Sequence, residues 1–236
     1  CALPIFKGKA VVDAFYGRPA AHSYFTGCSN AGREGLMEIQ RYPADFDGVL
    51  TGAPTVQWSG FIGGWLWNSI GLLSDPEAYV PPAMLPKIAD AAVAACDAND
   101  GVKDGLITDP RTCRFSPRAL LCKGSSASSE CLSAKQVAAL EQIYAGGPGV
   151  KGDPFFYPGF MPGGEASWTT KTGRDRDQTG SFNFINAFYR SVIFNDPAWS
   201  YKNWDFARDM PIARKKMAGI VDVNDLSLKP FAGRGG

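Results

Sequence analysis

Apolar positions recur at helical spacing over residues 6 to 17, where Val11, Val12 and Phe15 share a face until Gly17-Arg18-Pro19 ends the run. Residues 22 to 26 form a short β-prone stretch with Tyr24, Phe25 and Thr26. The small-residue turn Gly27-Cys28-Ser29-Asn30-Ala31-Gly32 follows. Arg33 to Tyr42 returns to helical spacing through Leu36, Met37 and Ile39, and Pro43 stops it. Phe46 to Leu50 reads as a second strand, closed by Gly52-Ala53-Pro54. Helix, strand, turn, helix and strand in that order predict an α/β fold, a parallel sheet with crossover helices.

The pattern changes after Pro54. Trp58, Trp65, Trp67, Trp168, Trp199 and Trp204 all lie beyond it, glycine and proline are frequent, and strand alternation fades. Helical spacing resumes at 86–95 and 133–145, and 146–180 is loop-rich. These textures divide the chain into a core segment at 1–54, a large inserted, mostly irregular and helical lid domain at 55–224, and a return to the core at 225–236. The first residue is Cys1 and the last are Gly235-Gly236, with no closing element, so an internal fragment is expected.

Composition removes several function classes. The formal net charge of the 236 residues is +1, with no basic stripe for nucleic acid and no polybasic membrane patch. No apolar run reaches the ~18–20 residues that span a bilayer. The most apolar stretch, Phe61 to Leu73, is short and holds Gly63, Gly64, Asn68 and Gly71. The six cysteines include no CxxC pair, which speaks against a zinc ribbon. Cys96/Cys113 and Cys122/Cys131 bracket short segments, a spacing that suits local disulfides in a secreted or periplasmic protein, with buried free thiols as the other reading.

Ser29 sits where a predicted strand turns sharply into a predicted helix, the context of a nucleophile elbow. Such a turn needs small neighbours, which Gly27, Ala31 and Gly32 supply. The helix N-terminus favours developing negative charge, and the Asn30 N–H is placed to donate to a tetrahedral oxyanion. The general pattern G-x-S-x-G is broken at Ala31, with Gly32 one residue later. An ordinary small-residue turn is the plain alternative. A phosphate-binding turn lacks its Lys-Ser/Thr pair.

The run Tyr24-Phe25-Thr26-Gly27-Cys28-Ser29-Asn30-Ala31-Gly32-Arg33-Glu34-Gly35-Leu36-Met37, continued by Gln40-Arg41-Tyr42-Pro43-Ala44-Asp45-Phe46-Asp47-Gly48, resembles the elbow of the tannase/feruloyl esterase family, which includes mono(hydroxyethyl)terephthalate-hydrolysing esterases. The resemblance implies an α/β-hydrolase core and Ser29 as nucleophile. It also implies that Cys28 pairs with a cysteine after the catalytic histidine, here expected outside the chain.

Asp97, Asp100 and Asp104 fall within eight residues that also hold Gly101, and Gly105 follows. Clustered carboxylates repel unless a cation neutralises them, and calcium takes oxygen ligands. The spacing is not that of an EF-hand, because Thr108 stands where the bidentate Glu belongs. A solvated acidic turn is the alternative. The loop resembles the calcium loop in the lid of the same family. That likeness implies side-chain oxygens from Asp97, Asp100 and Asp104, carbonyls from Val102 and Leu106, a structural calcium, and a Cys96–Cys113 staple.

A serine nucleophile needs a base and a group to orient that base. The only histidine, His22, lies seven residues before Ser29, roughly 20 Å away along a strand. The triad Asp and His are therefore expected outside the chain. Arg33 and Glu34 read as an exposed or locally paired set. The resemblance implies a serine ester hydrolase of aromatic acid esters, with a small ester as substrate and neither nucleic acid nor membrane as partner. The alternatives are a non-catalytic calcium-stabilised module and another serine hydrolase on the same fold, a lipase or peptidase.

Overall fold

The computed structural model describes residues 2–124, 128–147, 157–168, 180–225 and 227–236. Cys1 and most of the stretch read as loop-rich lie outside them. In chain order the main elements are α1 (Ala2–Tyr16), β1 (Tyr24–Cys28), α2 (Asn30–Arg41), β2 (Gly48–Gly52), α3 (Trp58–Leu73), α4 (Leu85–Cys96) and α5 (Ala134–Ala145). Then come α6 (Gly180–Ala187), running on into a π-helical stretch Phe188–Ile193, α7 (Phe206–Val221) and the short α8 (Lys229–Ala232). The chain forms two compact units: unit 1 is 1–58 with 218–236, and unit 2 is 59–217.

In unit 1, β1 and β2 pair in parallel, with Tyr24 opposite Gly48 and Cys28 opposite Gly52. α2 is the crossover between them, as the alternation of elements predicted. It lies close to the strands because two of its residues lack a side chain. A Cβ on Gly32 would stand 2.5 Å from the Gly52 carbonyl oxygen, and one on Gly35 would stand 2.9 Å from Phe25 and from Thr51. The expected joins at Pro54 and Asp225 fall a few residues inside unit 1. Its chain is held together past them: Val223 N–H donates to Val56 O at 2.9 Å and Gln57 Nε2 to Val223 O at 3.4 Å. Val11 and Phe15 do lie on a helix, but both are exposed.

Unit 2 has an apolar core of Leu72, Val80, Leu85, Ile88, Leu132, Leu140 and Ile143, among others. α5 begins with a capping box: Gln136 N–H donates to Ser133 Oγ at 3.2 Å, and Ser133 N–H to Gln136 Oε1 at 2.9 Å. The disulfides Cys96–Cys113 and Cys122–Cys131 both form. The Phe61–Leu73 stretch is one continuous helix despite its glycines. Ile62 and Leu66 are buried in it, and Gly63, Gly64 and Gly71 admit Met210, Tyr157 and Gln142 at distances that leave no room for a methyl. A helix apolar all round is a buried helix. Glu165, fully buried, is satisfied by the Tyr144 hydroxyl at 2.6 Å and the Gly163 N–H. Burial, then this carboxylate, push the Tyr144 hydroxyl up.

Candidate active site

β1 ends at Cys28 and α2 begins at Asn30, so Ser29 alone makes the turn between strand and helix. Its backbone pays for that sharpness: φ is 60° and ψ −119°, a region that L-residues other than glycine avoid. Two main-chain hydrogen bonds hold the conformation. Ser29 N–H donates to Gly52 O at 2.9 Å, and Ser29 O accepts from Arg33 N–H at 3.0 Å. The side chain is exposed. A strained, exposed residue held by its main-chain bonds at a strand-to-helix turn fits the geometry of a nucleophile elbow.

The break in the motif at Ala31 has a structural explanation. A Cβ on Gly27 would lie 2.6 Å from the Ala31 main chain and 2.8 Å from the Ala31 methyl. Gly27 thus leaves the space that the methyl of Ala31 uses, and Gly32 makes the close approach to β2. Asn30 opens α2, where the first N–H groups have no carbonyl one turn back. Its N–H is available in kind for an oxyanion next to Ser29. His22 is exposed before β1, its ring 6.1 Å from that of Tyr24. Cys28 is an exposed free thiol.

Arg33 pairs locally with Glu34, one of the two readings of the sequence, but it is not exposed. Its side chain is only 13% exposed, 3.8 Å from Glu34, and Nη1 also donates to Val221 O at 3.2 Å. Arg41 Nη2 donates to Gly219 O at 3.1 Å. The two guanidinium groups supply donors to carbonyls at the end of α7, whose last turn has no basic residue of its own.

In the acidic loop, Asp97 Oδ1 accepts from the N–H groups of Asp104 and Gly105, both at 3.1 Å. Asp100 Oδ1 accepts from Val102 N–H at 2.9 Å, and Asp104 Oδ1 from Leu106 N–H at 3.1 Å. The Thr108 hydroxyl on Asp100, then the Val102 N–H, hold that carboxyl below its ordinary value. The donors are right in kind for calcium, yet as placed they serve the backbone. Among the described residues no three His, Cys, Asp or Glu side chains come together around a point. The three carboxylates therefore fit a cation only in part.

The family model described as tannase and feruloyl esterase matches residues 3–236. The chain belongs to that family. An uncharacterized esterase of Xanthomonas campestris is 35% identical over 248 aligned residues, which cover 100% of this chain and 43% of that protein. Feruloyl esterase B of Aspergillus niger is 30% identical, covering 97% of this chain and 43% of its own length. The crystal structure of feruloyl esterase B from Aspergillus oryzae superposes with a TM-score of 0.82 at 30% identity, over 98% of this chain and 46% of that one. Tannin acyl hydrolase from Aspergillus niger, at 23% identity and a TM-score of 0.69, shares the fold. The chain thus spans less than half the length of these family members. The fold class read from sequence, a partial α/β-hydrolase core with a large insert, is the one these neighbours share.

Proposed function

We propose that this chain is the nucleophile-bearing part of a serine ester hydrolase that acts on aromatic acid esters. The observation that carries the reading is the positive φ of Ser29 at the strand-to-helix turn. Ser29 Oγ attacks the ester carbonyl, and the Asn30 N–H donates to the oxyanion that forms. Collapse expels the alcohol and leaves an acyl-enzyme, which water then hydrolyses. Both steps need a base. The single histidine of the chain, His22, is at the far end of β1 from Ser29, so the base and its orienting carboxylate come from polypeptide beyond these residues, as does the partner of Cys28. Relatives named as feruloyl esterases support the ester class. By the same account the isolated chain is a non-catalytic module. In a protein of the relatives' length that carries this chain, Ser29→Ala lowers turnover of aromatic esters by about 10⁴-fold or more. Unchanged turnover would remove Ser29 from the mechanism.

The acidic loop is proposed to take a structural calcium. The second carboxylate oxygens of Asp97 and Asp104, with Asp100 turned from Thr108 and the carbonyls of Val102 and Leu106, are the ligands it would use. Calcium at about a hundredfold over its dissociation constant should raise the melting temperature of unit 2 by about 5–10 °C. An identical melt in calcium and in chelator would refute the site. A secreted or periplasmic location is proposed on the two disulfides. No helix among the described residues is long and apolar enough to cross a membrane.

A further inference from the structure

The hydrogen bonds around Ser29 close into a ring, and one side chain completes it. On the strand side, Ser29 N–H donates to Gly52 O at 2.9 Å. The chain beyond β2 turns through Ala53, whose φ of 41° is in the left-handed region, and Val56 O then accepts from Val223 N–H at 2.9 Å. Two residues before Val223, Val221 O accepts from Arg33 Nη1 at 3.2 Å, and Arg33 N–H donates to Ser29 O at 3.0 Å. Every residue of this ring belongs to unit 1. Its other bonds join main chain to main chain, and the Arg33 guanidinium is the link that a side chain supplies. Its remaining contacts, Met37 Sδ at 2.9 Å and Glu34 at 3.8 Å, stay within α2. Arg33 Nε is buried without a hydrogen-bond partner, an unfavourable place for a cation. The bond to Val221 does what the glycines cannot. Gly32 sets how near α2 lies to β2, whereas a directional bond from the first turn of α2 to the returning chain sets where α2 stands along its own axis.

We propose that Arg33 is a positioning residue for the nucleophile: by pinning the first turn of α2 to Val221 O, it holds the Ser29 hydroxyl and the Asn30 N–H in reactive register. The proposal rests on the reading of Ser29 as the nucleophile. Ser29 occupies a backbone region that persists only where the surroundings over-determine it. Its N–H is fixed by β2 whatever becomes of Arg33. Its carbonyl and the start of α2 are fixed by the ring only while the guanidinium bridges to Val221. Arg33 acts through α2 and not on the ester. Opening the ring lets α2 shift, and a displacement of about 1 Å in the nucleophile and the oxyanion donor is felt in the transition state more than in the bound ester. Arg41 supplies the comparison. Its Nη2 donates to Gly219 O at 3.1 Å, from the last turn of α2 to the same stretch of returning chain, but outside the ring.

Steady-state kinetics on an aromatic ester, in a protein of the relatives' length that carries this chain, test the ring. Arg33→Met keeps the stem and removes the donors. It should lower kcat by about 10- to 100-fold and leave KM within about twofold of the wild type. Affinity for phenylboronic acid, which forms a tetrahedral adduct on an activated serine, should fall by the same factor as kcat. Arg41→Met should leave kcat within about twofold. Should Arg33→Met not fold, Arg33→Lys is read by the same constants, because its side chain is one bond shorter and the 3.2 Å contact has no slack. A wild-type kcat in the Arg33 variant, a loss confined to KM, a boronate affinity that does not follow kcat, or an equal loss in Arg41→Met would each overturn the proposal. Ser29→Ala separates the two readings. Full turnover in that variant defeats the nucleophile itself, whereas an inactive Ser29→Ala beside an unimpaired Arg33→Met defeats the ring alone.

Discussion

Ile62, Leu66, Leu85, Ile88, Leu140 and Ile143 are essentially withdrawn from water, and all of them belong to unit 2; in unit 1, Gly32 and Gly35 bring α2 against β1 and β2 at distances that leave no room for a methyl. Unit 2 is held by an apolar core, with two disulfides across its loops. Unit 1 is held by backbone brought against backbone, through glycines that let α2 lie on two strands and through hydrogen bonds to the returning chain. The contrast shows where each can absorb change. A core of side chains relaxes around a lost methyl, whereas a contact made by the absence of a side chain has nothing to give.

The largest effect should therefore come from a small addition in unit 1. Gly32→Val drives a side chain into the Gly52 carbonyl, 2.5 Å from its first carbon, and should cost about 4 kcal/mol or more, enough to unfold the unit. In unit 2, Gly164 has nothing within 4 Å of a would-be Cβ, and Gly164→Ala should stay within about 0.5 kcal/mol. Urea melts of the two variants measure the pair. Equal losses would erase the distinction between the units.

The next effect belongs to unit 2. Replacing both Cys96 and Cys113 by alanine opens a loop whose ends are 17 residues apart, which should cost about 3 kcal/mol by chain entropy. The Cys122–Cys131 pair closes a loop of separation 9 and should cost slightly less, about 2.6 kcal/mol. Both losses should appear in the unfolding of unit 2 and leave unit 1 as it is. A matching loss in unit 1 would mean that the two units do not unfold independently.

Much of this arrangement is legible in the sequence where the signals are local. The Gly27–Gly32 turn, the helices over 86–95 and 133–145 and the two cysteine pairs all act over short stretches of chain. What escaped is what distant packing decides. α3 has no helical prediction in the sequence; in the structure Gly63, Gly64 and Gly71 serve as sockets for Met210, Tyr157 and Gln142. α7, with Pro211 in its interior, has no sequence prediction either. Val11 and Phe15 have the right period for a helix, but period does not say what covers the face. The local pairing of Arg33 with Glu34 was legible, but its burial was not, because its acceptor, Val221 O, is 188 residues further along the chain.

The central claim is that Ser29 is an activated nucleophile and not an ordinary turn serine, and covalent capture tests it most directly. A protein of the relatives' length that carries this chain is treated with a serine-directed phosphonate, and its peptides are read by mass spectrometry while ester turnover is followed. The account predicts a single adduct on the peptide that contains Ser29, with turnover lost in proportion to labelling. Turnover that persists when Ser29 is fully labelled, or an adduct that accumulates on another serine as activity falls, would contradict it.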